Sequence, residues 1–486
     1  MAGISSINTH PSIDTLVSQF LAPDRRPIQE LEQTKSDLKK KESVFNDLKT
    51  KLKEFNDKVE EFITISVNNK LKAKKADISN SKYFTVETTD EAKNGVNSIF
   101  IQNLASYDAA VSNRLEKEDV SVISPGSYQF SISIGSDEFT SISFNVEEND
   151  TNETVLNKIA DAINNSGLKL NANIINDTTS SVRLSIKSEE TGSENAINLK
   201  NEGDNDILNI LGFLDTNGER KEASGTNGGF VILNQDDLNA KIKVDGIDIV
   251  SQSNRIENVI KGVIINLHSS QQDGETPLRL TISTDVDTVK KEIKEFIDKY
   301  NEIINYITEK SKIDIESNKR GYLAGEPTYS QLKFKLRWLI SGPVEGVKEG
   351  NPSLLSEIGI KMNKDGTLKI SDDEKLTEAI ENNNEAVSDL FNLENGIGNR
   401  VNNLLESFVR TGGIVDTSKK MISQRIDNID KRIDSIEQHL RIKEEDLRRK
   451  FINLQKTLSM LNSQQAIISK SMFNYMTPYS SQGYFY

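Results

Sequence analysis

Residues 414–470 read IVDTSKKMISQRIDNIDKRIDSIEQHLRIKEEDLRRKFINLQKTLSMLNSQQAIISK, and no Gly or Pro occurs from Ile414 to Thr477. Gly and Pro oppose helix interiors most strongly, so their absence permits a long helix. The apolar spacing then supports one. Ile422, Ile426, Ile429, Ile433, Ile436 and Leu440, with His439 beside it, advance by fours and threes, the seam of a coiled coil. Lys443 takes the next position, and Leu447 and Phe451 follow at successive steps of four. Such a stutter relaxes the left-handed supercoil locally. The seam resumes through Leu454, Leu458, Leu461 and Gln465 to Ile468. A helix of about 55 residues spans roughly 80 Å, a rod that a single globular core rarely needs.

The other end of the chain has a similar stretch. After Pro27 no Pro occurs until Pro125, and no Gly lies between Gly3 and Gly95. Leu31, Leu38, Phe45, Leu48, Leu52, Phe55, Val59 and Phe62 form its seam, with Thr34 and Lys41 at two weaker positions. Each Leu or Phe, fully buried, is worth roughly 1.5–3 kcal/mol. Alone, either helix would leave that stripe in water, so the two ends are expected to pack together. The competing reading is two unrelated amphipathic helices on a globular core. Residues 1–24 hold no Lys or Arg, so the basic start of a secretory signal is missing. The tail SMFNYMTPYSSQGYFY, 471–486, is uncharged and holds Phe473, Tyr475, Tyr479, Tyr484, Phe485 and Tyr486. It reads equally as a docking segment for a partner or chaperone and as a disordered end.

Between the helical ends both charge and period change. Residues 80–285 carry 16 Lys/Arg against 32 Asp/Glu, a net of −16, while the rest of the chain sums to +2. Tyr128, Phe130, Ile132 and Ile134 alternate with polar residues, as do Thr140, Ile142, Phe144 and Val146. Alternation of this kind marks half-buried strands. A short helix follows, with Val155, Leu156, Ile159, Ala160 and Ile163 on one face, Thr151 as N-cap and Gly167 as stop. Further strands run through Leu170–Ile174, Val182–Ile186, Val263–Leu267 and Leu278–Ile282. Asp245-Gly246 sits between two more as a hairpin turn. The stretch ASGTNGG, 223–229, reads as a linker. Helical spacing returns at Val289, Ile293, Phe296, Tyr300, Ile303 and Ile307, then near Leu332–Ile340, Leu376–Phe391 and Ile397–Phe408.

Chemistry is sparse. The 486 residues include no Cys and three His, His10, His268 and His439, too dispersed for a local metal motif. No GxxxxGK[ST], HExxH or GxSxG occurs. Glu147/Glu148 and Asp372/Asp373 read as solvated acid pairs. Asp215-Thr216-Asn217-Gly218 and Asn363-Lys364-Asp365-Gly366 resemble calcium loops, but the first lacks the distal acid and Lys361 occupies the second's first ligand position. Both read as turns. The net charge of −14 argues against a nucleic-acid partner, and no apolar run is long enough for membrane insertion. No enzyme, cofactor, metal or catalytic residue is expected.

Four stretches together resemble the bacterial flagellar filament cap (distal hook-associated protein, FliD) family. They are GISSINTHPSIDTLVSQFLAPDRRPIQELEQ at the start; SEETGSENAINL with ILGF at 210–213; KVDGIDIVSQSNRIENVIKGVIINL running on to DTVKKEIKEFIDKYNEIINYI; and LLSEIGIKMNKDGTLKISDDEKLTEAIENNNEAVSDLF, the most specific. The uncharged aromatic tail departs from the family pattern. The resemblance implies a ring-like homo-oligomer at the filament tip that helps flagellin subunits insert, exported by the flagellar type III route without a cleaved signal. It also implies hook–filament junction proteins and an export chaperone as partners, and an extracellular location, periplasmic where the flagella are.

The expected fold is multidomain α+β, with two β-rich modules inserted into one helical frame. Residues 1–27 are expected as a flexible start, 28–79 as the N-terminal helix, 80–115 with 228–285 as the first module and 116–227 as the second. Residues 286–412 form a helical domain, 413–470 the C-terminal coiled-coil helix and 471–486 a flexible tail. Coiled-coil assembly is expected to rest on Phe45, Leu48, Leu52, Phe55, Ile426, Ile429, Ile433, Ile436, Leu454, Leu458 and Leu461. An adhesin-like surface protein on a coiled-coil stalk is the alternative function, and a flagellin or hook-junction protein a weaker third.

Overall fold

The computed structural model describes residues 12–63, 69–316 and 319–475, with only the backbone described for 473–475. The fold is α+β. Its helices are α1 (Ile13–Ile63), α2 (Asn152–Asn164), α3 (Ile207–Ile210), α4 (Val286–Lys310), α5 (Pro327–Ser341), α6 (Asp373–Asn392), α7 (Ile397–Val409) and α8 (Ile414–Tyr475). The chain divides into two compact units. One holds residues 1–63, 294–372 and 390–486, and the other holds 64–293 and 373–389.

The first unit is helical. Phe45, Leu48, Leu52, Phe55, Val59 and Phe62 of α1 are all buried. Their partners come from several helices. Phe45 meets Tyr329 of α5 at 5.1 Å, Phe55 meets Phe296 of α4 at 5.3 Å, and Phe62 meets Phe391 at 5.5 Å. A hairpin, Ile360–Met362 with Leu368–Ile370, is pinned to α4 because the Asn301 side chain bonds both backbone groups of Leu368, at 2.8 and 2.6 Å. Tyr300, buried here, donates to the Gly366 carbonyl at 2.7 Å, and burial pushes its phenol upward.

The second unit holds two apolar cores. One contains a five-stranded antiparallel sheet in the order Lys74–Ile78, Leu278–Thr284, Gly95–Asn103, Ala240–Val244, Ile247–Ser251. The last pair is closed by Asp245 and Gly246, with φ of 52° and 84°, the left-handed pair of a tight hairpin turn. Phe84, Ile101, Ile242, Ile265 and Leu280 are among its core residues. The other core joins Phe130, Ile142, Ile159, Leu184 and Phe230, and α2 packs there with Thr151 accepting from the Thr154 amide at 3.3 Å. A fully buried Asp108 pairs with both terminal nitrogens of Arg220, at 2.8 and 2.9 Å, and the guanidinium lies 3.7 Å from the Phe230 ring centroid.

The observed elements differ from the expected borders at several points. The start expected to be flexible over 1–27 is helical from Ile13, with Pro23 and Pro27 inside α1. Each Pro removes one helix hydrogen bond, but Val17, Leu21 and Ile28 pack onto α8 beside Leu440 and Phe451, and that packing outweighs the local loss. The N-terminal helix expected over 28–79 does not reach 79. Lys74–Ile78 is a strand paired with Leu278–Thr284.

Module borders move too. Tyr107–Val111 and Leu115, assigned to the first module, pair with Ser181–Thr191 in the second. Gly229–Phe230 pairs with Tyr107–Val111 in that same sheet. The 223–229 stretch is therefore a packed turn rather than a linker. A Cβ on Gly228 would come within 2.6 Å of the Asn113 amide, so glycine is needed for close approach there. The helical domain expected over 286–412 includes two small hairpins, and residues 373–389 group with the second unit. The C-terminal helix runs on to Tyr475, so part of the tail expected to be flexible is helical.

Candidate functional site

The two chain ends meet in the first unit, where α1 and α8 run antiparallel. Four ion pairs cross between them: Asp14–Arg448 at 2.5 Å, Asp24–Lys443 at 2.5 Å, Lys35–Asp430, and Lys49–Asp416 at 2.6 Å. Paired positions therefore add to between 462 and 467, a nearly constant register over the length of the pair. Among these rungs lies an apolar cluster: Val17, Leu21 and Leu440 are buried, with Ile436, Leu447 and Phe451 partly covered. The Phe20 and Phe451 rings meet at a tilt of 54°, their centroids 5.6 Å apart. The Lys49 ammonium and the Gly412 amide both bond the Asp416 carboxylate and hold its pKa below the usual carboxylate range.

The expected assembly residues fall into three environments. Phe45, Leu48, Leu52 and Phe55 are buried, and Phe45 meets Tyr329 of α5 and Phe55 meets Phe296 of α4, so the core around them includes helices beyond the two chain ends. Ile426, Ile429, Ile433 and Ile436 are half-buried along α8. Leu454, Leu458 and Leu461 are 53%, 50% and 54% exposed, so the packing against the chain's own leg expected for them is absent among the described residues. By the α1–α8 register their counterparts lie at position 13 or lower, mostly outside the described residues.

Around those leucines, Ile452, Met460, Ile467, Ile468 and Met472 are also exposed. The stretch 452–475 carries Lys456 and Lys470 and no acidic residue. A continuous apolar helix surface of this kind is a feature of chains that bury it on another molecule. Sequence reading found its seam leucines but missed Met460 and Ile467, which sit off the heptad positions; the lack of any acidic residue over 452–475 was the available signal. Tyr479, Tyr484, Phe485 and Tyr486 lie outside the described residues, as do the side chains of Phe473 and Tyr475.

The loops that resembled calcium sites use their carboxylates within turns. Asp215 accepts from the Asn217 and Glu219 amides at 2.8 and 2.9 Å, and Asp365 accepts from the Thr367 amide at 2.9 Å. Among the described residues no cluster of three or more metal-ligating side chains is present, and no helix is long and apolar enough to cross a membrane.

These features define a multidomain assembly protein, with β modules inserted between chain ends that form one antiparallel helical pair. Two family models match the chain, one toward each end. The flagellar hook-associated protein 2 N-terminus matches residues 11–108, and the flagellar hook-associated protein 2 C-terminus matches 238–463. The chain belongs to the flagellar hook-associated protein 2 family. It is 26% identical over 355 residues to the lateral flagellar hook-associated protein 2 of Vibrio parahaemolyticus, covering 72% of this chain and 76% of that one. It is 25% identical over 498 residues to flagellar hook-associated protein 2 of Xenorhabdus nematophila, covering 95% and 98%. In fold it is similar to the D1-D2-D3 domains of the flagellar cap protein FliD from Escherichia coli, with a TM-score of 0.64, 24% identity, and coverage of 78% of this chain and 99% of that one.

Proposed function

We infer that this chain caps the distal end of the bacterial flagellar filament, where it promotes flagellin insertion and so filament elongation and motility. It is exported to the flagellum, assembles with further copies of itself and acts on flagellin. The role is structural, not catalytic. The observation that carries the reading is family membership at both ends of the chain, joined to a terminal helix whose apolar surface continues beyond its intramolecular partner.

The mechanism follows from that helix. The helical unit serves as the leg and the acidic β modules as the plate. Ile426, Ile429, Ile433 and Ile436 hold the leg together, while Leu454, Leu458 and Leu461 engage neighbouring subunits. A helix end that gains its burial only on docking can let go and re-engage, which suits a cap that advances as the filament grows. Hook–filament junction proteins and an export chaperone are the further partners of this reading, with the aromatic tail from Phe473 to Tyr486 as the docking segment.

Deletion of the gene, followed by electron microscopy and assay of the medium, tests the function. Short or absent filaments with secreted flagellin monomer are expected. Normal filaments would overturn it. Removal of Ser471–Tyr486 is expected to weaken chaperone binding with the thermal transition unchanged; full chaperone binding by the truncated chain would remove the tail from the mechanism.

A further inference from the structure

The exposed end of α8 keeps a heptad of its own. With Leu454 at d, the seam holds Leu454, Leu461 and Ile468 at d and Leu458, Gln465 and Met472 at a. Positions e and g, which flank the seam, are Gln455, Thr457, Asn462, Gln464, Ser469 and Ser471, none of them charged. The two charges of this stretch, Lys456 and Lys470, both fall at f, the position farthest from the seam. The covered part of α8 is different. There four ion pairs tie the helix to α1, so charge beside the seam selects the partner. Beyond Phe451 no charge lies beside the seam to select one.

Gln465 selects instead. It sits in the seam, is exposed in the single chain and carries an amide that both donates and accepts. Under an apolar stripe that amide would lose water and gain no partner, which opposes docking. Facing a second Gln465 it gains a donor and an acceptor at once. A polar residue at a fixes register in this way. The antiparallel pair offers it nothing comparable. Positions paired across α1 and α8 add to at most 467, so the counterpart of Gln465 falls at position 2 or lower, and neither Met1 nor Ala2 has a side-chain amide. Met460 and Ile467, both at c and both exposed, widen the apolar stripe on one side. A strict a/d seam serves two helices, and a wider stripe has room for a second neighbour.

We propose that residues 454–472 bind the same residues of further copies of this chain, parallel and in register, with Gln465 facing Gln465 and each helix touching two neighbours. This rests on the proposed function in one respect, that the exposed leucines are an assembly surface, and it names what covers them. Closed rotation of more than two copies keeps the helices parallel. The segment is already helical and continuous with the covered half, so association costs little ordering entropy. The lysines at f point away from the shared axis.

The chain has no Cys, so single Cys substitutions report neighbours in the full-length protein. Leu458→Cys and Met472→Cys mark a positions two heptads apart, and Lys456→Cys marks f. All three side chains are exposed, so each variant should keep the wild-type thermal transition. Each is oxidised mildly across a concentration series. Leu458→Cys and Met472→Cys are each expected to form a disulfide-linked dimer. Lys456→Cys should form none, because Cα atoms more than about 7 Å apart cannot be bridged. Mixed together, the two a-position variants should give self-dimers and no mixed dimer. A mixed dimer in their place means antiparallel pairing centred on Gln465 and overturns the proposal. So does equal cross-linking from Lys456→Cys. A monomer at every concentration, as a cover made by residues 1–11 or by another protein alone would leave it, overturns it too. The readout is association of the purified chain, so these failures leave the capping reading intact, whereas normal filaments after gene deletion would overturn capping and leave this result standing.

Discussion

The two halves of α8 share one heptad logic and have opposite fates. From Asp416 to Phe451 the helix lies along α1, tied by four ion pairs and by the packing of Val17, Phe20 and Leu21. From Ile452 to Met472 the same kind of apolar residue stands in water. The covered half answers to the fold of its own chain; the bare half is the part assigned to assembly in the proposed function. Charge follows the same split, since the covered half is dense in Lys, Arg, Asp and Glu while the bare half keeps only two lysines.

The sharpest way to break this division is to test the core that anchors the covered half. Phe55→Ala removes a fully buried ring packed on Phe296 and should cost about 3–5 kcal/mol in urea unfolding. A loss below about 1 kcal/mol would mean that the core is not what anchors α1. Next comes Ile433→Asp, which places a charge on the half-buried seam. It should cost roughly 1–3 kcal/mol and impair filament growth in motility assays.

A smaller effect comes with acid. Bonds from Lys49 and Gly412 depress the folded-state pKa of Asp416. Its contribution is therefore full above the unfolded carboxylate value of about 4 and is lost as pH falls through the folded value. Thermal melts should show the wild type losing more stability than Asp416→Asn in that window, by about 0.2–1 kcal/mol for a partly exposed pair. The smallest effect on stability belongs to the bare half. Leu458→Asp with Leu461→Asp should change unfolding by no more than about 0.5 kcal/mol and yet abolish filament elongation. If this pair destabilised the monomer as much as Ile433→Asp, the division between the halves would collapse.

Much of this was readable from spacing. The α8 seam, the Thr151 cap and the Asp245-Gly246 turn rest on local rules that hold wherever the segment folds. Other elements were not readable because a distant partner decides them. Pro23 and Pro27 argue locally for a helix that starts late, and only packing onto α8 carries α1 through them. Residues 107–116 look like a continuation of the preceding strands, and only pairing with Ser181–Thr191 assigns them to the neighbouring core. That Phe334 and Trp338 of α5 stand exposed was not readable either, since an aromatic at helical spacing gives no sign of which face the fold will cover.

By itself the sequence determined the helical ends, the acidic β-rich middle and the absence of local catalytic motifs, because periodicity, Gly/Pro placement and charge act over a few residues. Only the tertiary structure decided the register of α1 on α8. In it Leu440 is buried while Leu454, Leu458 and Leu461 are exposed, although the heptad treats them alike. Burial depends on what lies opposite, and the opposite residue is set by a register more than 400 positions apart in the chain.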